Sequence, residues 1–478
     1  MTEVLPIETP GLGDRSYLVH DGSAALVIDP QRDTDRVTAL AAEHGVRITH
    51  IAETHIHNDY LTGGPALAAA TGAAYLVNAA DPVAFDRTPI SDGDTVEVGE
   101  ALRLRVLATP GHTFTHVSYV LESGGQVAGV FTGGSLLYGT TGRPDLLGPE
   151  HTDALARAQY ASAHRLAELP GTTPIFPTHG FGSFCSAGPS GGQSSTIAAE
   201  MLANPVLTLT EREYLDSLLA GLDTWPTYYA NMGPANLAGP PAPDLSPPRE
   251  ASAGEVRRRL EAGEWVVDLR DRIAFAAGFL PGSVSFPLEG SFASYLGWMV
   301  PWGAPLTLLG ETPGQVAQAQ RELARIWADR PVAAVSGGPP RWAGGTPLAS
   351  LRLAKLGDLA AALAAPGPGP VVLDVRRRLE WAEGHIDGAR HIPFSELPGR
   401  AGELPAGEVW VHCQGGYRAI VEDWPPDCPA EQKLPKPCVG KTGVVPGSRA
   451  RRWAEAYCAR ASAPVCSGPS RSGRPVVP

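Results

Sequence analysis

Histidine and aspartate side chains follow one strand-like segment at a spacing that suits a metal ion. His55, His57 and Asp59 come directly after the apolar run at residues 48–52, which has the length and composition of a buried strand. Imidazole and carboxylate are common protein ligands of zinc and non-haem iron. Taken alone, a His-x-His pair that merely lies in a loop after a strand explains this segment equally well.

Two further histidines in similar surroundings favour the metal. His112 ends the turn at residues 109–112 after the apolar run at residues 104–107, and His179 lies in the turn at residues 177–180 after Ile175 and Phe176. A turn that follows a strand is held by the rigid sheet, so it is a usual place for ligands. Three such turns in one chain therefore predict a metal site.

This ordered set of histidines resembles the metallo-β-lactamase fold over about residues 1–240. The stretches at residues 109–113, 131–133, 142–146 and 177–180 are similar to its persulfide dioxygenase branch. The resemblance implies an αββα sandwich. It also implies five metal ligands, which are His55, His57 and His112 at a first site and Asp59 and His179 as the remains of a second.

Two positions depart from the family pattern. Tyr60 stands where the family has a second-site histidine, and Gly134 stands where it has a metal-binding aspartate. In the persulfide dioxygenases that aspartate and two histidines, here His55 and His112, hold a single iron. Glycine has no side-chain donor, so the resemblance implies one mononuclear ion, Fe(II) or Zn(II), bound chiefly by imidazoles.

Composition narrows the class of protein. The chain has 478 residues, 43% of them hydrophobic, and a formal net charge of −12, which gives no basic surface for nucleic acid. Its start lacks the features of a secretory signal, and no run reaches the roughly eighteen apolar residues of a membrane span. Cys185 is the only cysteine before the last quarter, so no disulfide framework is indicated and a cytoplasmic protein is expected.

Residues near the end of the first domain are candidates for contact with substrate. A Pro-rich stretch at residues 239–248 predicts a linker, because proline excludes both helix and central strand. In relatives the segment before such a linker covers the metal, which makes Tyr228 and Tyr229 candidates, with core packing as the alternative. The resemblance also suggests that Arg143 orients an anionic thiol. Cys185 follows His179 closely and is a candidate for a place near the site, although a buried inert thiol is the commoner state.

Beyond the linker the chain contains an internal repeat. Residues 265–287 and 371–393 both have an apolar strand that ends in Asp-x-Arg, a helical stretch, a Gly turn and a second short strand, which is α/β organisation. In the second copy the next strand leads into Cys413, followed by a Gly-rich loop and Arg418. Successive backbone N–H groups and Arg418 favour a thiolate at this place.

The Asp-Val-Arg, Gly-His-Ile-x-Gly-Ala and Cys-x-x-Gly-x-Arg motifs together resemble the rhodanese family. The resemblance implies two rhodanese-like α/β domains, at residues 251–345 without a catalytic cysteine and at residues 346–419 with one. Cys413 is then the sulfur-carrying nucleophile, and Arg418 binds the substrate anion. The first copy is expected to act as a spacer or docking module.

The last segment, residues 420–478, breaks the rhodanese pattern. Pro425 and Pro426 would stop the helix that should follow the cysteine loop. Beyond them the chain turns basic and is rich in proline and cysteine, without the Cys-x-x-Cys pairs of zinc sites. These features predict a disordered tail that is either divergent or the product of a frameshift.

The two resemblances together imply an enzyme of sulfur metabolism. Its expected reaction is the oxidation of a low-molecular-weight persulfide, such as glutathione persulfide, to sulfite by dioxygen, with sulfur transfer from thiosulfate at Cys413. One alternative is a metal-dependent thioester or lactone hydrolase of the same fold, similar to glyoxalase II. Another is a non-enzymatic sulfur-responsive or scaffold protein with a degenerate metal site. No nucleic-acid or membrane partner is expected, and a homodimer is one oligomeric state left open.

Overall fold

The computed structural model describes residues 2–328, 330–367, 369–405, 409–420 and 444–445, and the predicted disordered tail falls almost entirely outside them. The chain forms two compact units, one of residues 1–350 with 377–384 and one of residues 351–376 with 385–478. Within the described ranges, no helix combines the length and apolarity needed to cross a bilayer.

The first sheet of the larger unit has six strands in sequence order. Strands β2 and β3 are buried along their whole length, which fits the wholly apolar sequence of β3, whereas β2 also buries polar and charged side chains such as Asp14 and Arg15. The first two pairings are antiparallel and the next three are parallel. The elements are β1 (Glu3–Thr9), β2 (Asp14–His20), β3 (Ala24–Ile28), β4 (Arg47–Ala52), β5 (Ala74–Asn78) and β6 (Thr88–Ile90), with α1 (Asp35–Glu43) and α2 (Gly64–Thr71) on the outer face.

The second sheet also has six strands and packs face to face on the first. Side chains from both sheets, such as Leu26 and Leu104, share one buried core. The elements are β7 (Thr95–Val98), β8 (Leu102–Ala108), β9 (Val117–Ser123), β10 (Gln126–Gly133), β11 (Pro174–Pro177) and β12 (Ser195–Thr196), and the helices that follow β10 are α3 (Pro149–Leu166), α4 (Ile197–Ala203), α5 (Pro205–Thr208), α6 (Glu211–Ala220) and α7 (Tyr229–Ala238). Helices α3 to α6 cover the outer face of this sheet, so the predicted αββα sandwich is confirmed.

The same unit contains a third, four-stranded sheet whose pairings are all parallel. Its elements are α8 (Ala253–Glu261), β13 (Trp265–Asp268), α9 (Arg272–Ala277), β14 (Val284–Ser285), α10 (Phe292–Met299), β15 (Leu306–Gly310), α11 (Pro313–Ala324), β16 (Ala333–Ser336) and α12 (Pro339–Ala343). Arg325 forms a buried ion pair with Asp33 of the sandwich, at 2.8 Å between Nη2 and Oδ2. The Pro-rich stretch is fixed as well, because Arg32 donates to the Pro241 carbonyl at 2.9 Å.

The smaller unit is built on a fourth sheet in which β17 pairs in parallel with β18 and β19. The elements of this part of the chain are α13 (Leu356–Ala364), β17 (Val371–Asp374), α14 (Arg378–Glu383), β18 (Arg390–His391), α15 (Leu397–Arg400), a 3-10 turn (Ala401–Glu403), β19 (Val409–His412), α16 (Tyr417–Ile420) and β20 (Val444–Val445). Helix α14 belongs to the larger unit. Residues 444–445 pair antiparallel with β19.

Candidate metal centre

The five predicted ligands lie together at one edge of the sandwich. They follow β4, β8 and β11, whose carboxyl ends meet at this edge, and each side chain is at most 2% exposed. Ring centroids are 4.1 Å apart for His55 and His57, 4.8 Å for His55 and His112, and 5.3 Å for His112 and His179. The structure therefore brings together histidines that are up to 124 residues apart in the chain.

One nitrogen of His112 is held by the protein and the other is not. Nδ1 donates to the carbonyl of Arg143 at 2.8 Å, whereas the buried Nε2 has no hydrogen-bond partner. Burial, with a further effect of His179, lowers the pKa of His112 to about 3, so the ring is neutral. A neutral ring protonated at Nδ1 presents the Nε2 lone pair, which is the form that binds a metal ion.

A relay of hydrogen bonds fixes the same tautomer in His55. Asp29 accepts the Thr54 hydroxyl proton at 2.8 Å, so this hydroxyl can only accept from His55 Nδ1, which lies 2.9 Å away. The proton on Nδ1 leaves His55 Nε2 as a lone pair. Burial together with the surrounding histidines lowers the pKa of His55 well below its usual value.

His57 is oriented in the opposite sense, with Nε2 toward carboxylates. This atom lies 3.3 Å from Asp29, 3.2 Å from Glu53 and 3.0 Å from the Tyr60 hydroxyl, while the buried Nδ1 has no partner. Burial lowers the pKa of His57, but the two carboxylates outweigh it and raise the pKa to about 9. With Nε2 held in this way, Nδ1 is the atom of His57 that remains for a ligand.

His179 and Asp59 form the other side of the cluster. His179 Nδ1 donates to Asp14 at 2.9 Å and lies 3.1 Å from Asp59, and its Nε2 is 3.4 Å from His55 Nε2. One oxygen of each carboxylate, Asp14 Oδ2 and Asp59 Oδ1, has no partner. Burial opposes the charge on His179, yet Asp59 and Asp14 raise its pKa well above the usual value.

These donors fit a cation. The ligand atoms of His55, His57 and His179 all lie within 4.8 Å of one another, and so do those of Asp14, Asp59 and His179. The lone pair of His112 Nε2 and the free oxygens of Asp14 and Asp59 are buried without hydrogen-bond partners, which is unfavourable unless a positive group satisfies them. The raised pKa values of His57 and His179 mean that a metal ion bound by these rings would replace a proton on each of them. The cluster is a candidate metal site in which the imidazole nitrogens and Asp59 would hold the ion.

A second candidate site lies in the smaller unit, in the loop after β19. Cys413 is 1% exposed, and its Sγ accepts a hydrogen bond from the backbone N–H of Gly416 at 3.1 Å. Gly416 has a φ of 88°, a left-handed conformation that glycine adopts without strain. Arg418 is 7% exposed in the short helix α16 that follows. The loop thus directs a backbone donor at the thiol sulfur.

Known proteins are similar to this chain in sequence and in fold. The metallo-β-lactamase superfamily model matches residues 10–179. Human mitochondrial persulfide dioxygenase ETHE1 is 30% identical over 245 residues, which are 51% of this chain and 82% of that protein. The chain belongs to the metallo-β-lactamase superfamily.

Other relatives share smaller parts of the metallo-β-lactamase domain or a longer part of the chain. A hydroxyacylglutathione hydrolase of Polaromonas is 34% identical over 160 residues, 33% of this chain, and the chain spans only 57% of that protein. A metallo-β-lactamase structure from Staphylococcus aureus has a TM-score of 0.63 and 26% identity, with 70% of this chain and 99% of that chain covered. The rhodanese-like domain model matches residues 356–424, which confirms the predicted rhodanese-like fold there.

Gly134 and Tyr60 are the two positions at which the site of this chain lacks a ligand of the family pattern. A Cβ atom at Gly134 would lie well inside van der Waals contact with the His112 ring, so in this arrangement the ring occupies the room of a side chain at 134. Tyr60 stacks on His57, with ring centroids 4.3 Å apart, and donates to the Asp29 carbonyl at 3.3 Å. Tyr60 therefore supplies no second-site imidazole, and Gly134 supplies no carboxylate.

Two residues that sequence reasoning missed position the ligands. Asp29 accepts from the Thr54 N–H at 2.7 Å and also contacts the hydroxyls of Thr54 and Thr178 and the ring of His57. Asn236 of α7 donates to the carbonyls of His57 and Tyr60, each at 2.8 Å. The one sequence signal for Asp29 was an acidic residue directly after the wholly apolar strand β3.

The predicted substrate contacts lie near the cluster but already have protein partners. Arg143 is bidentate to Asp145, with both distances 2.7 Å, and is 4% exposed. Tyr228 is buried and donates to the Asp59 carbonyl at 3.0 Å, and Tyr229 is buried beside it. These contacts hold the surroundings of the ligands, and a role in substrate binding stays a prediction for all three.

Proposed function

We propose that this chain is a metal-dependent enzyme that oxidises a low-molecular-weight persulfide, such as glutathione persulfide, to sulfite with dioxygen. The observation that carries the proposal is that four buried imidazoles, His55, His57, His112 and His179, each have one nitrogen held by the protein and the other turned to the cluster. The similarity to the human persulfide dioxygenase supports the choice of reaction.

The residues around the proposed site would orient the ligands and exclude water. Asp29, through Thr54, fixes the tautomer of His55, and the Arg143 carbonyl fixes that of His112. Such second partners of ligating histidines typically change metal affinity or activity 10- to 100-fold, roughly, when removed. A single ion, Fe(II) in this proposal, would supply the redox chemistry with dioxygen when bound.

The rhodanese-like domain is proposed to transfer sulfur in a second, separate reaction. The Cys413 thiolate would attack the outer sulfur of thiosulfate, forming a cysteine persulfide and releasing sulfite. A small thiol would then take that sulfur and regenerate the thiolate. The N–H of Gly416 aimed at Sγ supports a thiolate there. We place both activities in the cytoplasm.

A metal-dependent thioester or lactone hydrolase is the second candidate function, because the chain is similar to a hydroxyacylglutathione hydrolase. In such a reaction a metal ion lowers the pKa of bound water, which suits zinc as well as iron. Imidazole nitrogens bind both zinc and iron, so the residues of the cluster do not identify the ion. The metal content of the purified protein therefore distinguishes the two candidate functions.

The test combines metal analysis with oxygen uptake on the purified full chain. With iron bound, glutathione persulfide should consume dioxygen and yield sulfite, and His112→Ala should lower kcat/KM at least about 100-fold because it removes a ligand. Thr54→Ala removes the acceptor of His55 Nδ1 together with its hydrogen bond to Asp29, but no ligand, and should weaken metal binding about 10-fold. Bound zinc, thioester cleavage and no oxygen uptake would establish the hydrolase instead.

A further inference from the structure

Cys185 lies at the candidate metal centre although no sequence motif places it there. Its side chain is fully buried, and its Sγ forms a group with nitrogens of His112 and His179 in which all three atoms lie within 4.8 Å of one another. The thiol also lies within interaction range of Asp59 and Tyr229. A sulfur donor therefore faces the same cluster as the imidazoles.

The backbone fixes this cysteine in place. The Arg143 N–H donates to the Cys185 carbonyl at 2.8 Å, and the Cys185 N–H donates to the Ser183 hydroxyl at 3.2 Å. Two residues further on, the Ala187 N–H donates to the Thr141 carbonyl at 2.9 Å. The loop after β11 is thus bound to residues 141–143, whose Arg143 carbonyl also orients His112.

Unsatisfied groups beside the sulfur point to a ligand rather than to simple packing. His112 Nε2 and Asp59 Oδ1 are buried atoms without hydrogen-bond partners, in side chains that are 0% and 1% exposed. Burial of polar atoms without partners is costly, and a cation among them would satisfy the lone pair, the carboxylate oxygen and the sulfur together.

We propose that the Cys185 thiolate is a metal ligand that replaces the carboxylate absent at Gly134. On binding, the S–H bond breaks, the proton leaves to solvent and a sulfur lone pair forms the bond to the cation, with no change of oxidation state. A thiolate restores the single negative charge that an aspartate at 134 would have given. The inference rests on the proposed metal site and is independent of the proposed oxidation reaction.

The space around the His112 ring favours this exchange of ligands. The His112 ring occupies the space beside Gly134, so a carboxylate there would have to displace a ligand. Cys185 approaches the cluster from the loop after β11 instead and leaves that ring in place. Zinc and iron both accept a site of mixed imidazole and thiolate, so the proposal does not depend on the ion.

The experiment uses the full chain, stripped of metal and loaded with one equivalent of Co(II) or Zn(II). One variant keeps Cys185 as its only thiol, with serine at the other cysteines, which are Cys413, Cys428, Cys438, Cys458 and Cys466. A matched cysteine-free variant adds Cys185→Ser, and a second adds Cys185→Asp to keep the charge without sulfur. Thermal unfolding of the metal-free forms checks that each is folded.

We expect the Cys185-only chain to show a near-ultraviolet thiolate-to-cobalt charge-transfer band. X-ray absorption of its zinc form should give one sulfur at about 2.3 Å. Cys185→Asp should bind one Co(II) without the band, and the cysteine-free chain should bind it more weakly, also without the band.

One bound Co(II) without a sulfur signal in the Cys185-only chain would overturn the proposal. So would metal binding by the wild type but not by the Cys185-only chain, since another thiol would then hold the ion. Absence of binding in every form would overturn the metal site itself. A sulfur signal without oxygen uptake in the iron-loaded wild type would instead contradict only the proposed oxidation.

Discussion

The two copies of the repeat share a scaffold and differ in the segment after one strand. In each copy an aspartate at the end of the central strand pairs with an arginine two residues on, Asp268 with Arg270 and Asp374 with Arg376, both at 2.7 Å. Both carboxylates are fully buried. Because the pair is present with and without the cysteine, it belongs to the α/β scaffold rather than to the chemistry.

The difference lies in the residues after the next strand. Leu309 and His412 occupy the same pairing position, opposite Asp268 and Asp374, so Gly310 corresponds to Cys413. After Gly310, Thr312 caps the twelve-residue helix α11, whereas Cys413 opens a Gly-rich loop. The same sheet can therefore form with or without the cysteine loop.

The copy without the cysteine has extensive contacts with the metallo-β-lactamase domain. Arg325 pairs with buried Asp33, and the ring of Trp298 in α10 lies 5.1 Å from Phe184, the neighbour of Cys185. Thr227, before α7, donates to the Trp298 carbonyl at 2.9 Å. These contacts attach the first copy to the metallo-β-lactamase domain.

The largest expected effect is the loss of sulfur transfer when the cysteine of the second copy is replaced. Cys413→Ser should lower thiosulfate sulfurtransferase activity roughly a thousandfold or more, because it removes the nucleophile. Oxygen uptake with glutathione persulfide should not change, since Cys413 is not among the described ligand clusters. Steady-state assays of both reactions on one preparation check this, and unchanged sulfur transfer would exclude Cys413.

A smaller but clear effect is expected where the first copy meets the metallo-β-lactamase domain. Asp33→Asn leaves the buried guanidinium of Arg325 without its charge partner and should lower the free energy of unfolding by about 3 kcal/mol. The control is Asp35→Asn, whose exposed pair with Arg321 should be worth about 0–1 kcal/mol. Urea unfolding followed by tryptophan fluorescence measures both, and equal effects would argue against a structural role of the buried pair.

The ion pair between Asp33 and Arg325 should also make the free energy of unfolding depend on pH. Burial raises the pKa of Asp33, but hydrogen bonds and charge from Arg325 and Arg36 outweigh it and hold the pKa below 3.8. A lowered pKa in the folded state gives stability that is complete above the unfolded value, about 3.9, and is lost as the pH falls through the folded value. The difference in unfolding free energy between wild type and Asp33→Asn should therefore be constant near neutrality and shrink below about pH 4. A difference that grows on acidification would contradict this assignment.

The smallest effect is expected from an attempt to restore the lost chemistry. Gly310→Cys places a thiol at the position of Cys413, yet we expect no sulfur transfer above background in the Cys413→Ser chain. A Cβ at Gly310 would lie 3.0 Å from Val316 Cγ2, and Glu311 and Thr312 follow in place of the Gly-rich loop. Sulfur transfer by this variant would show that position alone is enough and would remove the distinction between the copies.

Sequence reasoning succeeded where a local pattern carried the information. The apolar runs before His55, His112 and His179 predicted strands, and β4, β8 and β11 end as those runs require. The matching Asp-x-Arg motifs likewise predicted α/β organisation, and in each copy the strand that ends in this motif pairs in parallel with the next strand of the repeat. In each case the residues that make the strand and the residue just after it are neighbours in the chain.

It failed where the decisive contact joins distant segments. Asn236 bonds to the His57 carbonyl across 179 positions, and no spacing rule reports such a bond. The sequence suggested a place for Cys185 near the site because it follows His179, but not the hydrogen bond from the Arg143 N–H to its carbonyl or its approach to His112. The sequence showed that Gly134 lacks a carboxylate, but only the packing of the His112 ring shows what takes its room.

The ion pair between Asp33 and Arg325 also bears on the history of the gene. The two residues lie on opposite sides of the Pro-rich stretch at residues 239–248, which by composition is the natural place to divide the chain. Division there would give two polypeptides that each expose half of a buried salt bridge, so neither product would be as stable as the parent. Gene fission at that point is therefore expected to be disadvantageous.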